Sequence, residues 1–110
     1  MKIDLEVYNL LKGGAEFFSD QNNWCSCTFK MVKRRGLLGI GRTYRHCAVG
    51  YISANTKNNE IRDQAVELLT EAGGSNPMYV NDMEGYEATL DMYRKAAELA
   101  KKRLYDQGVQ

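Results

Sequence analysis

The sequence predicts a mainly α-helical fold: a compact single domain of three to four helices over residues 1–110. A short β-hairpin within residues 24–53 would make the fold α+β, and this stays open as the alternative. The prediction depends on apolar residues that recur every three or four positions in long stretches of the chain. Hydrophobic residues make up 44% and charged residues 26%, which is close to globular averages. A length of 110 residues suits one domain.

The clearest helical pattern lies near the end of the chain. Its apolar face recurs at spacings of four and three residues and consists of Tyr86, Leu90, Tyr93, Ala97, Ala100 and Leu104. Gly85 can begin this helix, and Gly108 suits the left-handed position after its end. We expect Asn81 and Asp82, which stand just before it, to cap its first turn.

Two further helices are predicted in the first part of the chain and in its middle. The later one covers about residues 59–72, with an N-cap at Asn58 or Asn59 and a stop at Gly73 and Gly74. The first covers about residues 3–18 and contains the adjacent Gly13 and Gly14. A glycine pair inside a helix indicates a kink, a close approach of another helix, or an early end.

Residues 24–53 allow two interpretations. The apolar residues alternate with polar ones between positions 25 and 31, which is typical of a half-buried strand; they are Cys25, Cys27, Phe29 and Met31. Residues 44–53 are apolar and could form a strand or a short buried helix. Strand–turn–strand and two short helices around a basic loop both remain open, and the period slightly favours the hairpin. Trp24, at the start of this region, is either a core anchor or an exposed contact residue, and the core is favoured.

The segment 30–45 is basic and rich in glycine. It holds six Lys and Arg residues and three glycines, a combination that suits an anionic partner because glycines let backbone N–H groups approach it. It matches neither a Walker loop nor a dinucleotide fingerprint. The alternative is a solvated surface loop. The predicted partner-binding residues are Lys33, Arg34, Arg35, Arg42, Tyr44 and Arg45.

Four residues could in number supply a tetrahedral zinc site, namely Cys25, Cys27, His46 and Cys47. Their spacing fits poorly, because Cys-x-Cys is tight and neighbours in a strand point to opposite faces. We therefore predict no metal and no cofactor, with this site as a weak alternative. The chain has a single His, and no nucleophile, metalloprotease or paired-carboxylate motif is present. An enzyme is not predicted.

The near-neutral net charge hides a division between the two parts of the chain. Residues 1–59 hold nine Lys and Arg but four Asp and Glu, whereas residues 60–110 hold six and ten. A division of this kind can be satisfied within the fold, across a homodimer, or by an acidic partner. The N-terminus carries acids and lacks a signal-peptide core, and no run approaches the length of a membrane span. We expect a cytoplasmic protein with reduced cysteines and no membrane partner.

The order of several short motifs resembles a family of small uncharacterised bacterial and phage proteins. Those motifs are a Leu-rich first helix, Asn23-Trp24-Cys25, the segment 46–52, and the Asn81-Asp82 pair before a last amphipathic helix. The family has a Trp near the end of its first helix, a Cys-x-x-Gly-Ala segment and a later Asn-Asp pair. Here Tyr51 follows Gly50 in place of a small residue, and the basic loop 33–42 is longer. The resemblance implies a compact, mainly helical domain in which residues 47–52 form a short buried helix.

Size, the missing catalytic groups and this resemblance lead to one functional expectation. The protein is expected to be a small non-catalytic binding protein that contacts a protein partner with an acidic surface. A phage-encoded accessory protein, or an inhibitor of a host defence complex in the host cytoplasm, would fit that description. The alternative is nucleotide or nucleic-acid binding through the basic segment 30–45.

Overall fold

The computed structural model describes residues 3–35 and 42–108, with the side chains of all of these except residues 33–35 and 42. The described chain is mainly helical, with five helices and a small two-stranded antiparallel sheet. The predicted mainly α fold is confirmed, and the number of helices is higher than the three to four expected. The additional helix is a single turn, which is too short to leave a periodic pattern in the sequence.

Three long helices build the core: α1 (Leu5–Phe17), α3 (Asn59–Gly73) and α5 (Tyr86–Asp106). Helix α5 packs against both α1 and α3, and its apolar face is buried as its spacing predicts, except that Tyr86 is half-buried. Asn58 caps α3 through its side chain, and Gly74 ends it with φ of 74°. The caps predicted for α3 are therefore confirmed.

The glycine pair in α1 marks a close approach and not a kink or an early end. Helix α1 continues through both glycines to Phe17. A Cβ on Gly14 would lie closer than 3.0 Å to the ring of Tyr93, which is fully buried on α5. The missing side chain therefore makes room for the largest ring in the core.

Residues 24–55 combine the two interpretations of this region. Strand β1 (Lys30–Arg35) pairs with β2 (Arg42–His46) in antiparallel register, with an irregularity between Val32 and Arg34. Helix α2 (Ala48–Asn55) follows the hairpin at once. Residues 36–41, the centre of the basic glycine-rich segment, lie outside the described residues. The hairpin and the short buried helix both exist, one after the other.

The strand does not begin where the alternating pattern begins. Cys27 adopts φ of 62°, which interrupts extended backbone, and β1 starts three residues later. Of the four alternating residues only Cys25 is buried; Cys27, Phe29 and Met31 are exposed. The expectation of a half-buried strand over 25–31 is wrong: residues 27–32 are all exposed, so neither face of this stretch is packed in the core. The left-handed Cys27 also interrupts the extended backbone that the alternation assumes.

The region between α3 and α5 also differs from expectation. Helix α4 (Pro77–Tyr79) runs directly into a π-helical turn, Val80–Glu84, and α5 then begins after Gly85, whose φ is 97°. Asn81 and Asp82 lie inside the π-helical turn, so they do not cap α5. No helix among residues 3–35 and 42–108 is long and apolar enough to cross a membrane.

Candidate functional site

The basic hairpin, which we define as β1 and β2 together with Phe29, carries positive charge on both strands. Neither strand contains Asp or Glu, and together they hold six Lys and Arg residues. The backbone places four of the predicted binding residues in these strands, but their side chains lie outside the described part; they are Lys33, Arg34, Arg35 and Arg42. The other two, Tyr44 and Arg45, are half-buried, and the Lys30 Nζ lies 4.8 Å from the centre of the Tyr44 ring.

Three large apolar side chains are exposed on the same hairpin. The exposed fraction is 61% for Phe29, 50% for Met31 and 44% for Val32. They lie within four consecutive residues, interleaved with Lys30. The sequence did not indicate Phe29 and Met31 as surface residues, because their alternation with polar residues resembled a half-buried face; Val32 was outside that pattern.

The backbone hydrogen bonds of the hairpin leave one edge open. The N–H of Cys47 donates to the Phe29 carbonyl at 3.1 Å, so this opposed pair is hydrogen-bonded. Bonded and non-bonded pairs alternate along an antiparallel ladder. At the next position, where Lys30 faces His46, the polar backbone groups of both residues therefore point away from the partner strand. The same holds for Val32 on β1.

The two outer edges of the hairpin differ. On β2, the His46 carbonyl accepts the Cys25 N–H at 3.1 Å, so the preceding segment covers this edge. On β1, the Lys30 carbonyl has a long contact of 3.4 Å with the Thr28 hydroxyl. Among the described residues, β2 is the one strand that pairs with β1. The outward backbone groups of Lys30 and Val32 thus face an open edge.

The base of the hairpin is held by Asn81, which is fully buried. Its Oδ1 accepts the Trp24 indole N–H at 2.8 Å and the Ala48 backbone N–H at 2.9 Å. Its Nδ2 donates to the Cys25 carbonyl at 3.0 Å and to Asp82 Oδ1 at 2.9 Å. One amide therefore joins the segment before the hairpin, the start of α2 and the π-helical turn.

The residues that carry the family resemblance meet at this amide. Trp24, the Cys47–Gly50 segment and the Asn81-Asp82 pair are distant in the sequence and adjacent in the fold. Asp82 Oδ1 also accepts the Cys27 N–H at 2.8 Å, which holds the left-handed residue in place. Since both the oxygen and the nitrogen of the Asn81 amide have hydrogen-bond partners, the arrangement fits a structural role, in which Asn81 holds the three segments together, better than a catalytic one.

Two of the three cysteines, Cys25 and Cys47, are buried in this base. The Cys47 Sγ accepts the Gly50 N–H at 3.2 Å and so caps α2. Burial raises the pKa of the Cys25 thiol to about 11, with nearby Cys47 adding to the shift, and burial also raises the pKa of Cys47. Cys27 is exposed. In the part of the chain that the structure describes, no three His, Cys, Asp or Glu residues are grouped to hold a metal ion, so the weak zinc alternative gains no support.

His46 lies at the junction between the hairpin and α1. Its ring centre is 5.6 Å from that of Phe17 and 6.5 Å from that of Tyr44. Burial and, secondarily, the charge of Lys30 lower the pKa of this imidazole, and they outweigh the Phe29 carbonyl, which raises it. The ring is therefore neutral at pH 7 and acts as an aromatic packing group.

Comparisons with family models, with curated proteins and with solved structures find no match to this chain. The resemblance to the bacterial and phage family stays a prediction from its motifs.

Proposed function

We propose that this chain is a small, non-catalytic binding protein whose basic hairpin docks on an acidic surface of a protein partner. The observation that carries the proposal is the mixture of apolar and basic groups on the basic hairpin. Exposed Phe29, Met31 and Val32 are interleaved with basic residues, and no acid lies on either strand.

Apolar and cationic groups side by side are typical of protein interfaces. Energetically dominant interface residues are enriched in aromatic side chains and Arg, and surrounding charges accelerate association. Three neighbouring large apolar groups in water are costly unless a partner covers them. In this proposal Phe29 and Met31 supply apolar contact, while Lys30, Arg45 and the basic residues of the strands select an acidic surface.

A second candidate function is binding to duplex nucleic acid. A two-stranded β-ribbon fits the major groove, and six Lys and Arg residues on such a ribbon could contact phosphates. The exposed apolar side chains favour the protein partner, because phosphate contacts would leave Phe29 and Met31 uncovered. The setting we propose, a phage-encoded accessory protein or inhibitor acting on a host complex in the cytoplasm, is supported by the resemblance alone. A homodimer remains the alternative use of the divided charge.

The test is a capture experiment with matched charge variants. Tagged protein is incubated with lysate of the source cells, and bound proteins are identified by mass spectrometry. The hairpin variant is Arg34→Ala/Arg35→Ala/Arg42→Ala. The control variant, Arg94→Ala/Lys101→Ala/Lys102→Ala, removes the same charge from exposed positions of α5.

We expect specific acidic proteins to be lost from the hairpin variant and retained by the control. Equal capture by both variants would show that the basic hairpin is not the interface. A gel shift with duplex DNA at low salt tests the second candidate. DNA binding that weakens steeply with salt, and that the hairpin variant loses, would replace the protein partner by nucleic acid.

A further inference from the structure

We infer that the partner contributes an extended strand, in which apolar and acidic residues alternate, and that this strand adds to the open edge of β1. The inference rests on the proposed function and specifies how the hairpin would engage its partner. An added strand is a common binding mode because main-chain hydrogen bonds provide affinity while alternate side chains provide specificity.

The backbone of β1 has the groups that such a strand requires. The N–H and C=O of Lys30 and Val32 point away from β2, since both residues occupy non-bonded positions of the ladder. Lys30 and Val32 are two positions apart, which is the spacing at which outward backbone groups recur along a strand edge, so a parallel or an antiparallel strand can pair with both. The opposite edge of the hairpin is already covered at its base, where Cys25 binds His46.

The side chains beside this edge define the occupant. Met31 lies on one face of β1, and Lys30 and Val32 lie on the other, because successive residues alternate. An incoming strand would therefore place apolar residues beside Met31 and carboxylates beside Lys30. A groove of about 470 Å³ between α2 and α3 begins at Phe29 and offers Val49 and Val66. Its charged lining is Arg62, Asp63 and Glu67, so only an apolar end of the strand would fit there and the carboxylates would stay beside β1.

Charge decides against a second copy of this chain as the occupant. Four of the six residues of β1 are basic, and none is acidic. Two β1 edges side by side would bring these like charges together, which destabilises a pair of strands. An acidic strand reverses the sign of the same interaction.

The test uses a short capped peptide in which valine and glutamate alternate, titrated into the full-length protein at low salt. The control peptide has the same composition in two blocks, valines first. Amide hydrogen exchange by NMR provides the main measurement. In the free protein we expect the Met31 amide to be protected and the Lys30 and Val32 amides to exchange faster; the alternating peptide should protect both.

The protein variants are Lys30→Glu, at the edge, and Lys12→Glu, an exposed position on α1. We expect Lys30→Glu to weaken peptide binding by about tenfold, which corresponds to one charge-assisted contact, and Lys12→Glu to leave it unchanged. Equal binding of both peptides without new protection would overturn the added strand but leave the acidic partner in place. If neither peptide binds, the inference of an added strand is wrong as well. A DNA duplex that displaces the peptide would contradict both proposals.

Discussion

The indole Nε1 of Trp24 donates a hydrogen bond of 2.8 Å to the side-chain oxygen of Asn81, a residue 57 positions later in the chain. The same oxygen accepts the N–H of Ala48 at the start of α2. Because the basic hairpin lies between Trp24 and Ala48, both of its ends are fixed to one buried amide. The orientation of the hairpin on the helices therefore depends on Asn81.

Replacement of this amide by a carboxylate tests that dependence. Asn81→Asp keeps the shape but removes two donors, leaves the Cys25 carbonyl unpaired and places a charge beside Asp82. We expect the free energy of unfolding in urea to fall by about 2–4 kcal/mol, as for a buried polar group that loses its partners. The same change at exposed Asn9 on α1 should shift it by about 0.5 kcal/mol or less. An equal loss of stability in the two variants would show that the Asn81 hydrogen bonds do not hold the base of the hairpin.

The close approach between α1 and α5 predicts opposite outcomes at two adjacent glycines. Gly14→Ala would press a methyl group into the fully buried Tyr93 ring, so we expect a loss of about 2 kcal/mol. At Gly13, the nearest atom is the hydroxyl at the far end of Tyr51, which can shift. Gly13→Ala should therefore be neutral or gain up to about 1 kcal/mol from helix propensity. Thermal unfolding measures both, and a stabilising Gly14→Ala would disprove the tight contact.

His46 predicts a specific loss of stability in acid. Its pKa is lowered by burial and by Lys30, so the folded protein binds this proton more weakly than the unfolded chain. The contribution to stability is complete above the ordinary histidine pKa of about 6.5 and is lost as the pH falls below it. His46→Gln should remove this part of the pH dependence.

The histidine can also be titrated directly, because it is the only one in the chain. Its ring proton signals in NMR should report a pKa below about 6.5. Lys30→Gln should raise that pKa by removing a neighbouring positive charge. A value at or above the ordinary one in the folded protein would contradict the buried position of the ring.

The three cysteines should differ in reactivity. Cys27 is exposed, whereas Cys25 and Cys47 are buried with raised pKa values, about 11 for Cys25. Since the thiolate is the reactive form, we expect iodoacetamide to modify one thiol rapidly in the native protein and all three after unfolding. Cys27→Ser should abolish the rapid phase in mass spectra. Rapid double modification of the native wild type would mean that the base of the hairpin opens.

The core helices could be predicted from the sequence because their signals are local. Leu90, Tyr93 and Ala97 repeat with the period of α5, and Asn58 and Gly74 mark the two ends of α3. Such features depend on neighbours within a few positions. The pairing of the hairpin could be predicted but its exposure could not, because an alternating pattern does not show that residues 27–32 lie outside the core.

The role of Asn81 could not be predicted in the same way. Its long-range partners, Trp24 and Cys25 on one side and Ala48 on the other, lie in two parts of the chain far from Asn81, and no periodicity connects them. In sequence, Asn81 and Asp82 before a helix resemble a capping pair. The open edge of β1 could not be predicted from the sequence either, because it depends on which backbone groups the hydrogen-bond ladder leaves unpaired.

The Asn81 hydrogen bonds join residues that are far apart in the sequence, and this affects the order in which the chain folds. Its bonds to Cys25 and Ala48 close loops of 56 and 33 residues. The entropy of closing such loops must be offset before the bonds form, so helices with local contacts gain structure earlier. We therefore expect the hairpin to attach last during folding and to detach first during unfolding. The basic hairpin, to which we assign partner binding, would then be the last part of the chain to attach to the helices as the native state forms.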